Sequence, residues 1–324
     1  MPAARDPDVL LRAARLYYEE RLSQDEVAAR LGTSRSNVSR MLTAAFEQGI
    51  VEIRVNDPAG RDGELERALV ARYGLDAAVV AVRSSLPGLH VRDRVAALAW
   101  QWLRGALRDG MVLALSWGRA LQDLVYAVPA GSPVAVEVVQ LVGGLSAVDH
   151  ATTGQELVRE LAARLQARYR YLHAPAVLTS ATARDTLLAE RSVQEQLDAA
   201  RRADLAVVGI GAVGRGSSGA VLRSLALSPE ERAAFEAAGP VGDVAARFFD
   251  AHGREVHGPV HDRVLAVTLD ELRAVPTVVG VVHGREKVDA VAAALAGGLV
   301  DVLVCDDAVA RGVLAQPTER AVPA

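Results

Sequence analysis

Two sets of side chains in this 324-residue sequence have types and spacings that could do chemistry. The first is Ser34, Arg35, Ser36, Asn37, Ser39, Arg40 and Thr43 in "GTSRSNVSRMLT". Arg matches guanine edges, Asn matches adenine, Ser and Thr match either, and all reach backbone phosphates. From Thr33 to Phe46 there are two arginines and no acid, so the stretch suits DNA locally. The second set is scattered, each member placed where a short apolar run ends. Ser116 and Gly118 follow "MVLAL", and Gly143 and Gly144 follow "VVQLV". Gly211 opens "GAVGRGSSG" after "LAVVGI", and Lys287 closes "HGREK" after "TVVGVV". Glycine lets a backbone approach a ligand closely, and a Ser-x-Gly step before a helix offers free N–H groups to an anion. Lys287 is the only lysine beside 35 arginines, which points to a position that needs a compact ammonium.

The first set needs a helix pair to present it. Ser23 and Glu26 form a capping-box pattern, so a helix starts at Gln24, with Val27, Ala28 and Leu31 as its apolar stripe. Gly32 ends it in a left-handed turn, and Thr33 or Ser34 caps a second helix. That helix buries Val38, Met41, Leu42 and Ala45 and stops near Gly49. Leu10, Ala13, Ala14 and Tyr17 supply a first helix to complete a three-helix core. This is helix-turn-helix spacing. The plainer alternative is a small helical domain with a polar surface. Residues 1–56 hold eight Arg against eight Asp and Glu, so the case for DNA is local rather than global.

The second set needs a sheet. "IVEIRVN" reads as a strand beside the helical domain, "NDPAGRDG" (56–63) as a linker, and 64–74 as a helix. Beyond them, apolar runs at 77–82, 111–115, 134–142, 205–210, 264–267, 277–282 and 299–305 alternate with helical stretches at 91–109, 118–127, 154–167, 182–202, 229–238, 285–296 and 307–315. Strands apolar on both faces, alternating with helices, give an α/β fold with a mostly parallel sheet. Residues 248–260 break the rhythm as an irregular hairpin. The expected domains are 1–56 and 57–324.

Several classes are disfavoured. The net charge of −4 falls wholly on the part beyond residue 56, so nucleic acid is not expected to lie across it. There is no leader pattern and no uncharged apolar run of about 18 residues, which leads to an expected cytoplasmic location and no membrane partner. One cysteine, Cys305, rules out an internal disulfide; among the seven histidines His257 and His261 stand at H-x-x-x-H spacing with no cysteine near them, and no metal is expected. Gly209-Ile-Gly211-Ala-Val-Gly214 matches the dinucleotide fingerprint, yet more Gly and Ser follow where a helix is required, and the acids Glu230 and Glu231 lie in a helical pattern. No cofactor is expected. Trp100 and Trp102 suit one packing and one interface residue.

The whole chain, from about residue 9 to 315, resembles the SorC-type sugar-binding transcriptional regulators, relatives of the deoxyribonucleoside and central glycolytic gene regulators. The resemblance rests on "ARLYYEERLSQDEVAARLGTSRSNVSRML" with "GIVEIRV", then "LSWGRAL", "VVQLVGGL", "YLHAPAV", "ADLAVVGIGAV", "GPVGDVAARFFDAHG", "HGREKVDAVAAAL" and "VLVCDDAVA" in order. It implies an amino-terminal helix-turn-helix domain and a larger Rossmann-like effector domain similar to sugar-phosphate isomerases and glucosamine-phosphate deaminases. It also implies a phosphorylated sugar as effector, and a dimer or tetramer on double-stranded operator DNA. By position, Ser116, Trp117, Gly118, Arg119 and Ala120 resemble the loop that grips the effector phosphate. Asp243 and Lys287 resemble polar effector contacts, and Gln140, Gly143 and Gly144 resemble pocket walls. Ala120 stands where the family usually has Thr, "HGREK" replaces a commoner Gly-Gly pair, and Cys305 stands where Thr is usual. The competing function is a phosphosugar isomerase or deaminase, for which the sequence offers no placeable His/Asp/Glu set and no need of a helix-turn-helix.

Overall fold

A computed structural model describes residues 6–51, 60–82, 90–145 and 153–317. The chain divides into two compact units, Met1–Asn56 and Asp57–Ala324.

In the first unit α1 (Pro7–Ala14) continues into a π turn (Arg15–Glu19), followed by α2 (Gln24–Leu31) and α3 (Arg35–Glu47). The Ser23–Glu26 capping box is formed in both directions, and Gly32 sits at φ 64°. Ser34 rather than Thr33 caps α3, its hydroxyl accepting from Asn37 N at 3.3 Å. Leu10, Ala13, Ala14, Met41 and Ala45 form one buried cluster and Leu16, Val27, Ala28, Val38 and Leu42 another. The first-helix stripe differs from its expected phase. The π turn adds a residue to one turn, so Leu16 is buried and Tyr17 only half-buried. The expected strand and the first part of the expected linker fall on residues 52–59, outside the described residues.

The second unit runs α4 (Gly63–Tyr73), β1 (Ala77–Ala81), α5 (Val91–Ala106), β2 (Val112–Leu115), α6 (Arg119–Ala127), β3 (Glu137–Gln140), α7 (Gly154–Leu165), β4 (Arg168–Tyr169), α8 (Ala181–Ala189), α9 (Arg191–Arg201), β5 (Leu205–Gly209), β6 (Gly211–Ala212), α10 (Gly216–Leu225), α11 (Pro229–Ala237), β7 (Gly242–Val244), β8 (Arg247–Phe249), α12 (Leu269–Arg273), β9 (Val278–Val281), α13 (Val288–Ala296), β10 (Val302–Asp306) and α14 (Asp307–Ala315). Seven strands form one parallel sheet in the order β1-β10-β9-β5-β2-β3-β4, and β6-β7-β8 form a small antiparallel sheet. Successive side chains along each main strand enter cores on opposite faces: Ala114, Val139 and Ala206 on one, Leu113, Val138 and Val207 on the other. This explains the runs that are apolar at every position.

The chain winds outward from β2 to β3 and β4, then returns past β2 to β5, β9 and β10. The order reverses between β2 and β5, and a crevice opens there beyond the strand ends.

Several elements differ from expectation, among them the short β4, β6, β7 and α12, which no run in the sequence marked. Residues 264–267 are not a strand of the main sheet; they make isolated bridges, Ala266 to Val142 and Val264 to Val177. The helix expected over 182–202 is two helices, broken at Glu190 with ψ 127°. The helix expected from residue 285 begins as a 3-10 turn at Arg285–Lys287. An unexpected helix, α10, opens at Gly216 in the Gly- and Ser-rich stretch. Gly and Ser are poor helix formers, and burial of Ala220, Val221, Leu222 and Leu225 overrides them.

Candidate functional site

The crevice holds a pocket of about 360 Å³. Four groups of loop residues line it: Trp117, Gly118, Arg119 and Ala120 after β2; Gly209 to Ala212 and Arg215 to Ser218 after β5; Asp243, Ala245 and Ala246 of the β7–β8 hairpin; and His283, Glu286 and Lys287 after β9.

Two helices begin at this wall without a side-chain cap, α6 after Gly118 (φ 131°) and α10 after Arg215. Their first N–H groups and dipoles favour negative charge. The α10 end already faces an acid. Asp243 is paired in register with Gly211, and a Cβ at 211 would collide with its Oδ1. Burial pushes the Asp243 carboxyl up to about 6, against the opposing pulls of the Ser218 hydroxyl, the Ala246 amide and the Lys287 ammonium. Ser116 Oγ and Asp243 Oδ1 are buried with no hydrogen-bond partner among the described residues, while the Ser218 hydroxyl lies against the Asp243 carboxyl. Such groups are expensive to leave unpaired, and Asp243 is the one of them that lines the pocket.

Lys287 is positioned from below. Asp306, 2% exposed at the end of β10, accepts from Val309 N with Oδ1 and from Gly284 N with Oδ2, both at 2.8 Å. One carboxylate thus caps α14 and pins the loop carrying Lys287. Burial lowers the Lys287 pKa, with Glu286, Asp243 and Asp306 pulling it back up and Arg119 pushing it further down. The α6 end therefore offers an anion site with Arg119 beside it. The Asp243–Ser218–Lys287 end offers acceptors and donors for hydroxyls.

Of the residues expected here, Trp117, Gly118, Arg119, Ala120, Gly211, Asp243 and Lys287 line the pocket. Ser116, Gln140, Gly143 and Gly144 are not among the lining residues. Gln140, Gly143 and Gly144 stand behind Trp117, whose Nε1 donates to Gly143 O at 3.1 Å. Gly154 leaves room for that indole, since a Cβ there would come within 2.9 Å of Trp117 Cδ1. Gly143 crosses the Pro175–Ala176 backbone too closely for any side chain. Gln140 Oε1 accepts from Leu172 N at 2.8 Å. Sequence reasoning missed Ala245 and Ala246, for which no local signal exists. It also did not single out Ser218, which lines the pocket beside Asp243. The fingerprint-like "GIGAVG" is followed by a helix after all, opening two residues past Gly214; the acids Glu230 and Glu231 lie in α11 as read.

In the first unit, α3 buries Val38, Met41, Leu42 and Ala45 and leaves Ser34, Arg35, Ser36, Ser39, Arg40 and Thr43 exposed, with Asn37 half-buried. Asn37 Nδ2 donates to Thr33 Oγ1 at 2.8 Å. Arg40 bonds back to Ser36 O and Oγ at 3.3 Å each, and Arg35 lies 3.8 Å from Asp25.

The profile of the sugar-binding domain family matches residues 57–315, and that of sigma-70 region 4 matches residues 14–48, over the helix-turn-helix. The chain is 34% identical over 316 residues to the transcriptional regulator LsrR of Klebsiella pneumoniae, covering 97% of this chain and 94% of that one. It is 31% identical to the deoxyribonucleoside regulator of Bacillus subtilis over 94% of this chain and 96% of that one. The chain belongs to the SorC-type sugar-binding transcriptional regulators. The full-length sorbitol operon regulator SorC of Klebsiella pneumoniae has the same fold, with a TM-score of 0.71 at 28% identity over 96% of this chain and 100% of that one. SorC-type relatives are named as regulators, and the enzymatic alternative is set aside on that ground. Among the described residues no helix is long and apolar enough to cross a membrane.

Proposed function

We propose that the protein is a cytoplasmic regulator of a carbohydrate catabolism operon, whose hold on operator DNA is set by a phosphorylated sugar. The observation that carries this reading is the division of labour in the pocket. The uncapped α6 amino terminus with Arg119 takes the phosphate, and Asp243, Ser218 and Lys287 take the sugar hydroxyls. Ala120 adds no hydroxyl to the phosphate loop, and Arg119 supplies charge in its place. Trp117 closes one wall, backed by Gln140, Gly143, Gly144 and Ser116; Gly118 and Gly211 let backbone approach the ligand. Relatives named for deoxyribonucleosides and for a sorbitol operon support a carbohydrate effector.

Operator DNA is read by Ser34, Arg35, Ser36, Asn37, Ser39, Arg40 and Thr43 on α3. One neutral helix-turn-helix binds weakly alone, so the working form is a dimer or tetramer on a two-fold site. The effector binds one arrangement of the oligomer better and shifts the population toward it.

A thermal-shift screen of phosphorylated sugars beside their unphosphorylated counterparts tests the effector. A ligand at a hundredfold its Kd stabilises by about 2.7 kcal/mol, so a true effector is visible. Equal shifts from free and phosphorylated sugars would remove the phosphate from the proposal. Fragment 1–56 binding operator as tightly as the full chain at the same salt would remove the oligomer.

A further inference from the structure

The hairpin carrying Asp243 turns through Ala245 and Ala246, at φ 50° and 64°. Two successive left-handed residues make the tight hairpin turn that normally selects Asn-Gly, and alanine is strained in it. Both alanines are buried against the pocket, so something must hold the turn.

Arg247 follows them and is 3% exposed. Its Nε donates to Val267 O at 3.1 Å, one terminal nitrogen to Ala266 O at 2.7 Å and the other to His261 O at 3.3 Å. Glu255 Oε1 lies 3.6 Å from Nε, and its other oxygen accepts from Leu269 N at 2.9 Å. A buried ion pair is a weak device for stability, and apolar side chains of similar size often serve as well. What the guanidinium adds is a rigid fork spanning several carbonyls, which lysine cannot copy.

The strand-like segment it grips continues to the opposite wall. Val267 N donates to Leu141 O at 2.9 Å and Gly143 N donates to Leu265 O at 3.0 Å. Gly143 O then accepts from the Trp117 indole. A continuous set of hydrogen bonds therefore joins the Asp243 hairpin to Trp117 around the back of the pocket. We infer that Arg247 is a positioning residue that holds the Asp243 wall and the Trp117 wall at one spacing, and so sets the size of sugar the pocket accepts. The size statement rests on the effector reading above; the mechanical link does not.

The test uses the three tryptophan indole N–H signals of the 15N-labelled full chain, with Trp117→Phe to assign one of them. Arg247→Lys should speed hydrogen exchange of the Trp117 indole about tenfold and leave Trp100 and Trp102 unchanged. Glu255→Gln, which keeps the fork, should leave all three unchanged. Should Arg247→Lys fold poorly, it is placed in an Ala245→Gly, Ala246→Gly background, whose relaxed turn restores folding but not the bonds to Val267 O and Ala266 O, and the same acceleration of Trp117 is expected against that double variant. Unchanged Trp117 exchange in the lysine variant, or equal acceleration of all three indoles, overturns the inference. No ligand enters the measurement, so its failure is distinct from failure of the phosphosugar reading.

Discussion

α3 and the pocket are built on opposite principles. On α3 the candidate contacts are near neighbours in sequence, spread over one helical face, exposed, and tied only by short-range bonds such as Arg40 to Ser36. In the pocket they come from four separate segments, range from the exposed Arg119 to the buried Asp243, and leave a carboxylate oxygen unpaired. An exposed face loses little stability by carrying polar side chains, because water satisfies them. The pocket holds Asp243 and Lys287 where burial disfavours their charged forms. Substitutions on α3 should therefore change function without stability, and substitutions in the pocket should change both.

The largest effect is expected from Arg35→Ala with Arg40→Ala. The long ion pair from Arg35 to Asp25 is exposed and contributes little to stability. Operator binding should fall by about a hundredfold or more, while the unfolding temperature stays within a degree or two. Normal binding by a folded double variant breaks the comparison on the α3 side.

Asp243→Asn should act in both directions at once. Its folded pKa is raised, so the folded chain binds the proton more tightly than the unfolded chain does. Stability from that proton is present at low pH and is lost as pH rises from about 4 through 6. The asparagine variant should be more stable than wild type at pH 7.5 by up to ~3 kcal/mol, with the difference vanishing near pH 4. Its sugar phosphate affinity should fall. Urea unfolding at several pH values, beside calorimetric titration, measures both; a variant no more stable at pH 7.5 breaks the comparison on the pocket side.

Lys287→Ala should weaken effector binding roughly 10- to 150-fold, the loss of one charge-assisted hydrogen bond worth about 1.5–3 kcal/mol. Lys287→Arg should rescue poorly, because the planar head does not fit a site enclosed by Glu286, Asp243 and Arg119. Operator binding without effector should be unaltered. Equal effector binding by all three proteins would make Lys287 a bystander.

The smallest effect sharpens the contrast in stability. Ser23→Ala removes the cap of α2 and should cost about 1 kcal/mol. A small three-helix unit has few buried contacts to spare, whereas the larger unit carries the same capping box at Thr153, Ser228 and Thr268. Differential scanning calorimetry should show Ser23→Ala lowering the melting of the small unit more than Ser228→Ala lowers that of the large one.

Local periodicity alone gave the turn at Gly32, the buried stripe of α3, most strands of the parallel sheet and the loops at its rim, because each depends on neighbours within a turn or a strand. The resemblance to SorC-type regulators singled out Asp243, which lines the pocket; nothing near it in sequence marks it. Tertiary structure decided the rest. The helix α10 forms from Gly and Ser because its last turns are buried. Residues 264–267 have a strand's composition but lie outside the main sheet, bridged to Val142 and Val177. Ala245 and Ala246 take left-handed turns that no local preference favours, and Arg247 is buried against carbonyls roughly 20 residues further on. The physical reason is common to all of these. A propensity or a period is a sum over near neighbours and is worth a fraction of a kcal/mol per residue, whereas burial against distant segments contributes several times that. Where the two conflict, as they do around the pocket, the distant contacts win, and they are not written in any single stretch of the chain.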